Sequence, residues 1–350
     1  MSNTLKKVLR TSGSFAILVL ALWYTLRGVD FARMTEAVSK ANYWWVLSPV
    51  PLMVLSHYLR GLRWITLMIP IQAGLSVWNS FSGVMVGYFL NNLIPRSGEV
   101  VRPYLLSRRE RIRFSTAIAT IVVERVLDVL SLGIFILGTI YYSQSRLLAA
   151  LPDVSDKLIN SLVILPLGLI VGIVLLLTTN IGEWTLRVSI KPFSERLHVK
   201  LHNYLEAFIN GFSIFTSPGL WWRVIAETVG IWMAYSVPMY LAFIAFGFEQ
   251  HYNLTFLDAN VIFTISAIAF LIAPTPGAFG VYHSLVQLGL VKLYGVANEE
   301  ALAFAFVTHG VSYVMQLMMG GAFMLYEQSR GFHLNEIRTE ESPVLFNDNL

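Results

Sequence analysis

A chain of 350 residues that is 55% hydrophobic and 13% charged carries about half the charge of a soluble domain. Its mean hydropathy is +0.62, and several apolar runs reach the ~20 residues that cross a hydrocarbon core. There is no cysteine, which excludes disulfides, thiolate metal sites and cysteine nucleophiles, and a formal charge of +4 suits loops beside anionic lipid better than nucleic-acid binding.

The apolar runs do not alternate with period two, so a barrel is set aside. The pattern predicts an all-α polytopic membrane protein, with one transmembrane domain over 1–326 and a disordered cytoplasmic tail over 327–350. Lys6, Lys7 and Arg10 precede the first apolar run. No A-x-A-like cleavage site follows, and Arg27 and Asp30 arrive at once, so the run reads as an uncleaved anchor. Six runs are able to span: 12–26, 44–69, 115–142, 158–179, 221–246 and 301–326. Two further apolar stretches are interrupted. The stretch 77–94 stops at Pro95, and 259–273 stops at Pro274-Thr275-Pro276-Gly277 before resuming through 285–293.

Charge placement sets the topology. Arg96, Arg102, Arg108, Arg109, Arg111 and Arg113 belong in the cytoplasm with the N-terminal lysines. Were 77–94 to cross, that arginine loop would fall outside, so the stretch is expected to dip in and return. The loop 247–258 has Glu249 and Asp258 but no Lys or Arg, and reads as outside. The hairpin 259–293 then dips from the outer face, and the last span leaves Arg330 and Arg338 in the cytoplasm. Arg27, Arg33 and Lys40 weaken this asymmetry in the first outer loop. Both termini are expected to be cytoplasmic, in a bacterial inner membrane.

The two breaks share a pattern. Leu93-Ile94-Pro95-x-x-Gly98 parallels Ile272-Ala273-Pro274-x-x-Gly277, with Tyr104 near the register of His283. Re-entrant hairpins from opposite faces are how an inverted-repeat transporter meets at the midplane, though so short a similarity leaves the repeat open. Between the spans, Phe193, Leu197, Leu201, Leu205 and Phe208 recur at helical spacing within 180–219. They predict an amphipathic helix on the cytoplasmic leaflet.

Several side chains are candidates for chemistry. Arg96 and Arg102 flank Glu99, and a helix starting near Gly98 would add its positive end to planar guanidinium donors suited to a phosphate. The alternative is a loop that only sets topology. Arg108, Arg109, Arg111 and Arg113 read as solvated anchors. Glu124 and Asp128, four apart, share a helix face. Asp128 would lie about 20 Å along its run, where an unpaired acid costs about 2.5–3.5 kcal/mol. Arg125, on the same helix, is not expected to pair with both acids; Arg60 or Arg63 could supply a cross-helix partner. The cluster is either structural or part of a transport path. His309, Ser312 and Gln316 line one face of the last run, His283 suits an interior histidine, Glu227 an interfacial acid, and Asn91 and Asn92 caps on a broken helix end. Tyr43-Trp44-Trp45 and Trp221-Trp222 read as interfacial belts.

The stretches Gly61–Trp64 (GLRW), Gly87–Leu106 (GYFLNNLIPRSGEVVRPYLL), Glu124–Asp128 (ERVLD) and Pro274–Tyr282 (PTPGAFGVY) make the chain resemble the lysylphosphatidylglycerol synthase transmembrane-region family, from about Leu5 to Tyr326. The resemblance implies lipid translocation between leaflets, of an aminoacylated lipid in the fused members. The soluble aminoacyl-transferase domain of those members has no counterpart here, so synthase activity is not carried over. Where family members often have a glutamate, this chain has His283.

A lipid flippase or transporter is therefore the expected function. Arg96, Glu99, Arg102, Arg60, Arg63, Glu124, Arg125, Asp128, His283 and His309 are its candidate headgroup-binding residues, and Pro95, Gly98, Pro274, Pro276 and Gly277 its structural breaks. The client is an anionic or aminoacylated phospholipid or a polyprenyl-linked lipid. A homo-oligomer is left open. The alternative is a membrane-embedded lipid-linked transferase. No loop is large enough for a nucleotide-binding domain, and no HExxH, His-x-x-x-His or G-x-S-x-G pattern occurs, so neither metal nor cofactor is expected. Re-entrant prolines argue against a non-transporting partner, because broken helices are tolerated where they line a cavity.

Overall fold

The structure, a computed structural model, describes residues 25–94, 96–150, 178–212, 219–273 and 275–333, with scattered positions at 19–20, 23, 164–176, 214 and 217. The runs 12–26 and 158–179 lie mostly outside the described residues. So do Lys6, Lys7, Arg10, Pro95, Pro274, Arg338 and the tail from residue 334.

Every regular element among the described residues is helical. Asp30 accepts from the backbone N–H groups of Ala32 and Arg33 and starts α1 (Phe31–Lys40), and Asn42 does the same for α2 (Tyr43–Leu47). Then come α3 (Val50–Met68), α4 (Val77–Leu93), α5 (Gly98–Glu110) and α6 (Phe114–Ala150), which kinks at Ser143. The pair α7 (Ile181–Ser189) and α8 (Glu195–Gly211) leads to α9 (Leu220–Ala245). The last part holds α10 (Phe248–His251), α11 (Phe256–Ile272), a 3-10 turn (Pro276–Ala278), α12 (Val281–Tyr294) and α13 (Asn298–Ser329).

By length and composition, α9 and α13 are long and apolar enough to cross a membrane. They recover two of the six expected spans. The run 44–69 is divided between α2 and α3 at Ser48-Pro49, and 115–142 lies within the longer α6. Both α3 and α6 interrupt their apolar character with buried charge.

Both proline-interrupted stretches form antiparallel helical pairs. In the first, α4 and α5 touch so closely that a Cβ on Gly98 would run into the Gly87 carbonyl. Further out Gly83 faces Arg102, and at the base Asn79 Nδ2 donates to Glu110 at 2.5 Å. In the second, Phe270 meets Tyr282 near the break, and Gly289 lies against Ile262 and Ile265. Each incoming helix ends the same way. Ile94 and Ala273 are extended, as a following proline demands, and each donates its N–H to the carbonyl four residues back. Beyond that the two differ. The α5 helix begins at once, whereas the second break continues through the 3-10 turn and Gly280.

The helix α13 serves as a ruler for both pairs. At its start Glu300 accepts from Tyr252 at 2.9 Å and Asn298 from Gln287 at 2.6 Å, beside the base of the α11–α12 pair. At its end Glu327 accepts from Ser82 at 2.6 Å and pairs with Arg109 at 2.6 Å, beside the base of the α4–α5 pair. Halfway along, Tyr313 donates to the Asn92 carbonyl at 3.3 Å, and Gln316 accepts from Asn92 Nδ2 at 3.0 Å. The pairs thus enter from opposite ends of α13, and their tips meet at its middle.

Other expectations change as well. Arg109 and Arg108 are not only solvated anchors. Arg109 holds buried Glu327, and Arg108 donates to the Gly331 carbonyl at 2.9 Å. Order continues past Glu327, since Phe332 is fully buried against Tyr104. The 180–219 region forms the two helices α7 and α8, with α8 against α6 and Trp184 and Phe193 exposed.

Candidate functional site

Where the two hairpin tips meet α3, α6, α9 and α13, they enclose a cavity of about 570 Å³, a size ordinary for a small-molecule site. Its apolar wall includes Met53, Leu132, Phe263, Phe270, Val307 and Val311. Its polar wall is built from His57, Arg60, Tyr88, Asn91, Asn92, Arg96, Glu99, Arg125, Asp128, Tyr235 and Gln316.

Behind the polar wall lies a buried ionic cluster. Glu124 on α6 is fully enclosed. Arg102 on α5 grips it with both terminal nitrogens, at 3.0 and 2.7 Å, and stacks over Trp64 at 4.2 Å. Trp64 in turn donates to Thr120 at 2.9 Å. Arg60 on α3 donates to Glu124 at 2.7 Å and also bonds Asp128. Its remaining terminal nitrogen donates to Tyr88 at 2.9 Å and Tyr235 at 3.0 Å. Arg63 reaches Asp128 at 2.6 Å and Thr228 at 3.2 Å. Guanidinium forks therefore bridge α3, α4, α5, α6 and α9 around two carboxylates. Burying such charges is tolerable because each of the four carboxylate oxygens accepts from at least one guanidinium group.

The expected cross-helix partners Arg60 and Arg63 are both there. Arg125, not expected to reach both acids, approaches Glu124 at 3.4 Å and Asp128 at 3.6 Å. These are loose contacts, and its side chain stays 47% exposed.

The stretch Arg96, Glu99 and Arg102 is divided by the fold. Arg102 points inward to Glu124, whereas Arg96 and Glu99 are exposed at the cavity. Arg96 adopts φ 63°, a left-handed backbone that costs a non-glycine residue about 1–3 kcal/mol. Among the described residues neither Arg96 nor Glu99 forms an ion pair. Asn91 caps across the break rather than on its own helix, accepting from the Gly98 N–H at 2.7 Å. Glu227, expected at an interface, is buried and accepts from Thr66 at 2.8 Å.

His283 and His309 come together but do not line the cavity. The Gly280 N–H donates to His283 Nδ1 at 3.3 Å, and His309 Nε2 lies 2.8 Å from the Gly277 carbonyl. A carbonyl only accepts, so His309 carries its proton on Nε2. Its Nδ1 then accepts from His283 Nε2 at 3.2 Å. Two neutral rings in one tautomeric order tie the second tip to α13. Gly277, at φ 58°, is the turn residue they hold.

His57, Tyr88 and Tyr235 were not foreseen as site residues. His57 had a signal: three residues before Arg60, it shares that arginine's helix face. Tyr88 and Tyr235 had none, because only tertiary contact brings them to Arg60.

The family described as Lysylphosphatidylglycerol synthase TM region matches residues 12–320. The chain is 24% identical to a UPF0104 membrane protein of Methanocaldococcus jannaschii, covering 89% of this chain and 92% of that one. It is 25% identical to a UPF0104 membrane protein of Methanothermobacter thermautotrophicus, covering 88% and 93%. It is 22% identical to Glycosyltransferase AglD of Haloferax volcanii, covering 88% of this chain but 53% of that one. No solved structure matches. These relatives are archaeal, whereas the sequence reading expects a bacterial membrane. With a match across most of its length, the chain belongs to the lysylphosphatidylglycerol synthase transmembrane-region family.

Proposed function

We propose that the protein moves a polar-headgroup phospholipid between leaflets, the headgroup passing through the cavity while the acyl chains follow its apolar wall. Family membership supports a lipid-handling role in a membrane at a general level. The observation that carries the finer reading is the cavity at the meeting point of two hairpin tips, with unpaired Arg96 and Glu99 and loosely held Arg125 on its wall. Exposed charge at such a depth is costly without a polar client.

In this reading the α4–α5 pair enters from the cytoplasm, the α11–α12 pair from outside, and both chain termini are cytoplasmic. The arrangement is that of an inverted repeat. The 32 residues of α13 support it, since about 48 Å of helix exceeds a hydrocarbon core of about 30 Å.

The test is movement of a tail-labelled phospholipid in sealed vesicles containing the full chain. Transfer between leaflets without covalent change is expected, slowed in the Arg96→Ala and Glu99→Gln proteins. Normal rates in both well-folded variants would remove the headgroup assignment. A covalently altered lipid would instead make the protein a transferase.

A further inference from the structure

The charges around the cavity do not balance. Four carboxylate oxygens are available on Glu124 and Asp128. Arg60, Arg63 and Arg102 occupy all four through hydrogen bonds of 3.0 Å or less. Arg125 is left at 3.4 and 3.6 Å, and Arg96 has no ion pair among the described residues. Including Glu99, five arginines face three carboxylates, an excess of two positive charges.

A second observation points the same way. His57 lines the cavity on the helix that carries Arg60, and the residue is 3% exposed. Neither of its ring nitrogens has a hydrogen-bond partner among the described residues. It stacks on Tyr88, at 4.2 Å, and the Tyr88 hydroxyl accepts from Arg60. Both ring nitrogens are enclosed as the ring stands, so the ring must turn toward the cavity for a bound acceptor to recover the free energy their missing partners cost.

We infer that the cavity selects a lipid phosphomonoester, a headgroup with two negative charges, over zwitterionic and cationic headgroups. Its oxygens accept from the surplus guanidinium groups of Arg125 and Arg96 and from His57. Two negative charges cancel the local excess, a zwitterion cancels none of it, and a lysyl-bearing headgroup adds to it. The inference rests on the cavity being the lipid site proposed above.

Two measurements on the full chain separate the two ideas. The first is binding in detergent, read by native mass spectrometry with phosphatidic acid, phosphatidylcholine and lysyl-phosphatidylglycerol in competition. Phosphatidic acid is expected to bind about tenfold more tightly than either, the worth of one charge-assisted hydrogen bond. Arg125→Gln should remove most of that preference, and Arg125→Lys should keep part of it. The wild-type comparison needs no variant to fold. Equal binding, or preference for the lysyl lipid, would overturn the inference. So would inorganic phosphate competing as well as phosphatidic acid, since the site would then serve free phosphate. The second measurement is movement of the same three lipids in vesicles. Selective binding with no movement would refute transport and leave the headgroup preference standing. Movement at one rate for all three would refute the preference and leave transport standing.

Discussion

Glu124 and Arg125 are chain neighbours with opposite energetic weights. Glu124 is fully enclosed and receives Arg60 and Arg102. Glu124→Gln would leave those guanidinium groups buried without their counter-charge, and should lower stability by roughly 3–5 kcal/mol. Arg125→Gln breaks only loose, half-exposed contacts and should cost under about 1 kcal/mol. Denaturant unfolding of both proteins in detergent checks the contrast, and equal losses would contradict it. His309 is a third case. His309→Leu strands the Gly277 carbonyl and the His283 Nε2 proton, at a cost of about 1–3 kcal/mol in the same measurement.

Residue chemistry was legible in the sequence where the argument was local. Acids four apart in an apolar run must find partners, and the arginines deep in the second run were the nearest supply. What stayed hidden depended on rotation. Arg96 and Arg102 look like one motif, yet α5 turns Arg102 toward Glu124 and leaves Arg96 at the cavity. No spacing rule gives the roll of a short helix against its neighbours.

At the scale of elements, the proline breaks were plain in the sequence, because proline fixes the preceding residue as extended and ends the incoming helix. The closeness of α4 to α5 was not. Gly98 looked like a helix start, but its lack of a side chain lets it sit on the Gly87 backbone. Gly98→Ala should push the two helices apart and cost about 1–3 kcal/mol or more. Gly138→Ala is the control. Nothing lies within 4 Å of the added Cβ, and the change should be neutral or stabilising by up to about 1 kcal/mol. If Gly98→Ala unfolds like wild type, the tight α4–α5 contact is wrong. The Arg109–Glu327 pair was out of reach for a different reason, its members lying 218 residues apart.

Across the whole molecule, two broken hairpins reach one cavity from opposite ends of α13. The long-range contacts that define this are few and specific: Tyr252 with Glu300 at one end, Arg109 with Glu327 at the other, and Asn92 with Tyr313 between. The short likeness between the breaks gave no direction of entry, and only α13 supplies a common scale along which to place the two tips. The chain has no cysteine, so single reporters can be added to the native sequence. Gln72 and Gln328 are exposed near the base of the α4–α5 pair, and Gln250 is exposed near that of α11–α12. In sealed cells or oriented vesicles, an impermeant thiol reagent should label Gln250→Cys from outside, and Gln72→Cys and Gln328→Cys only after the membrane is opened. Labelling of all three from the same face would contradict the opposed hairpins, and with them the path proposed for the lipid.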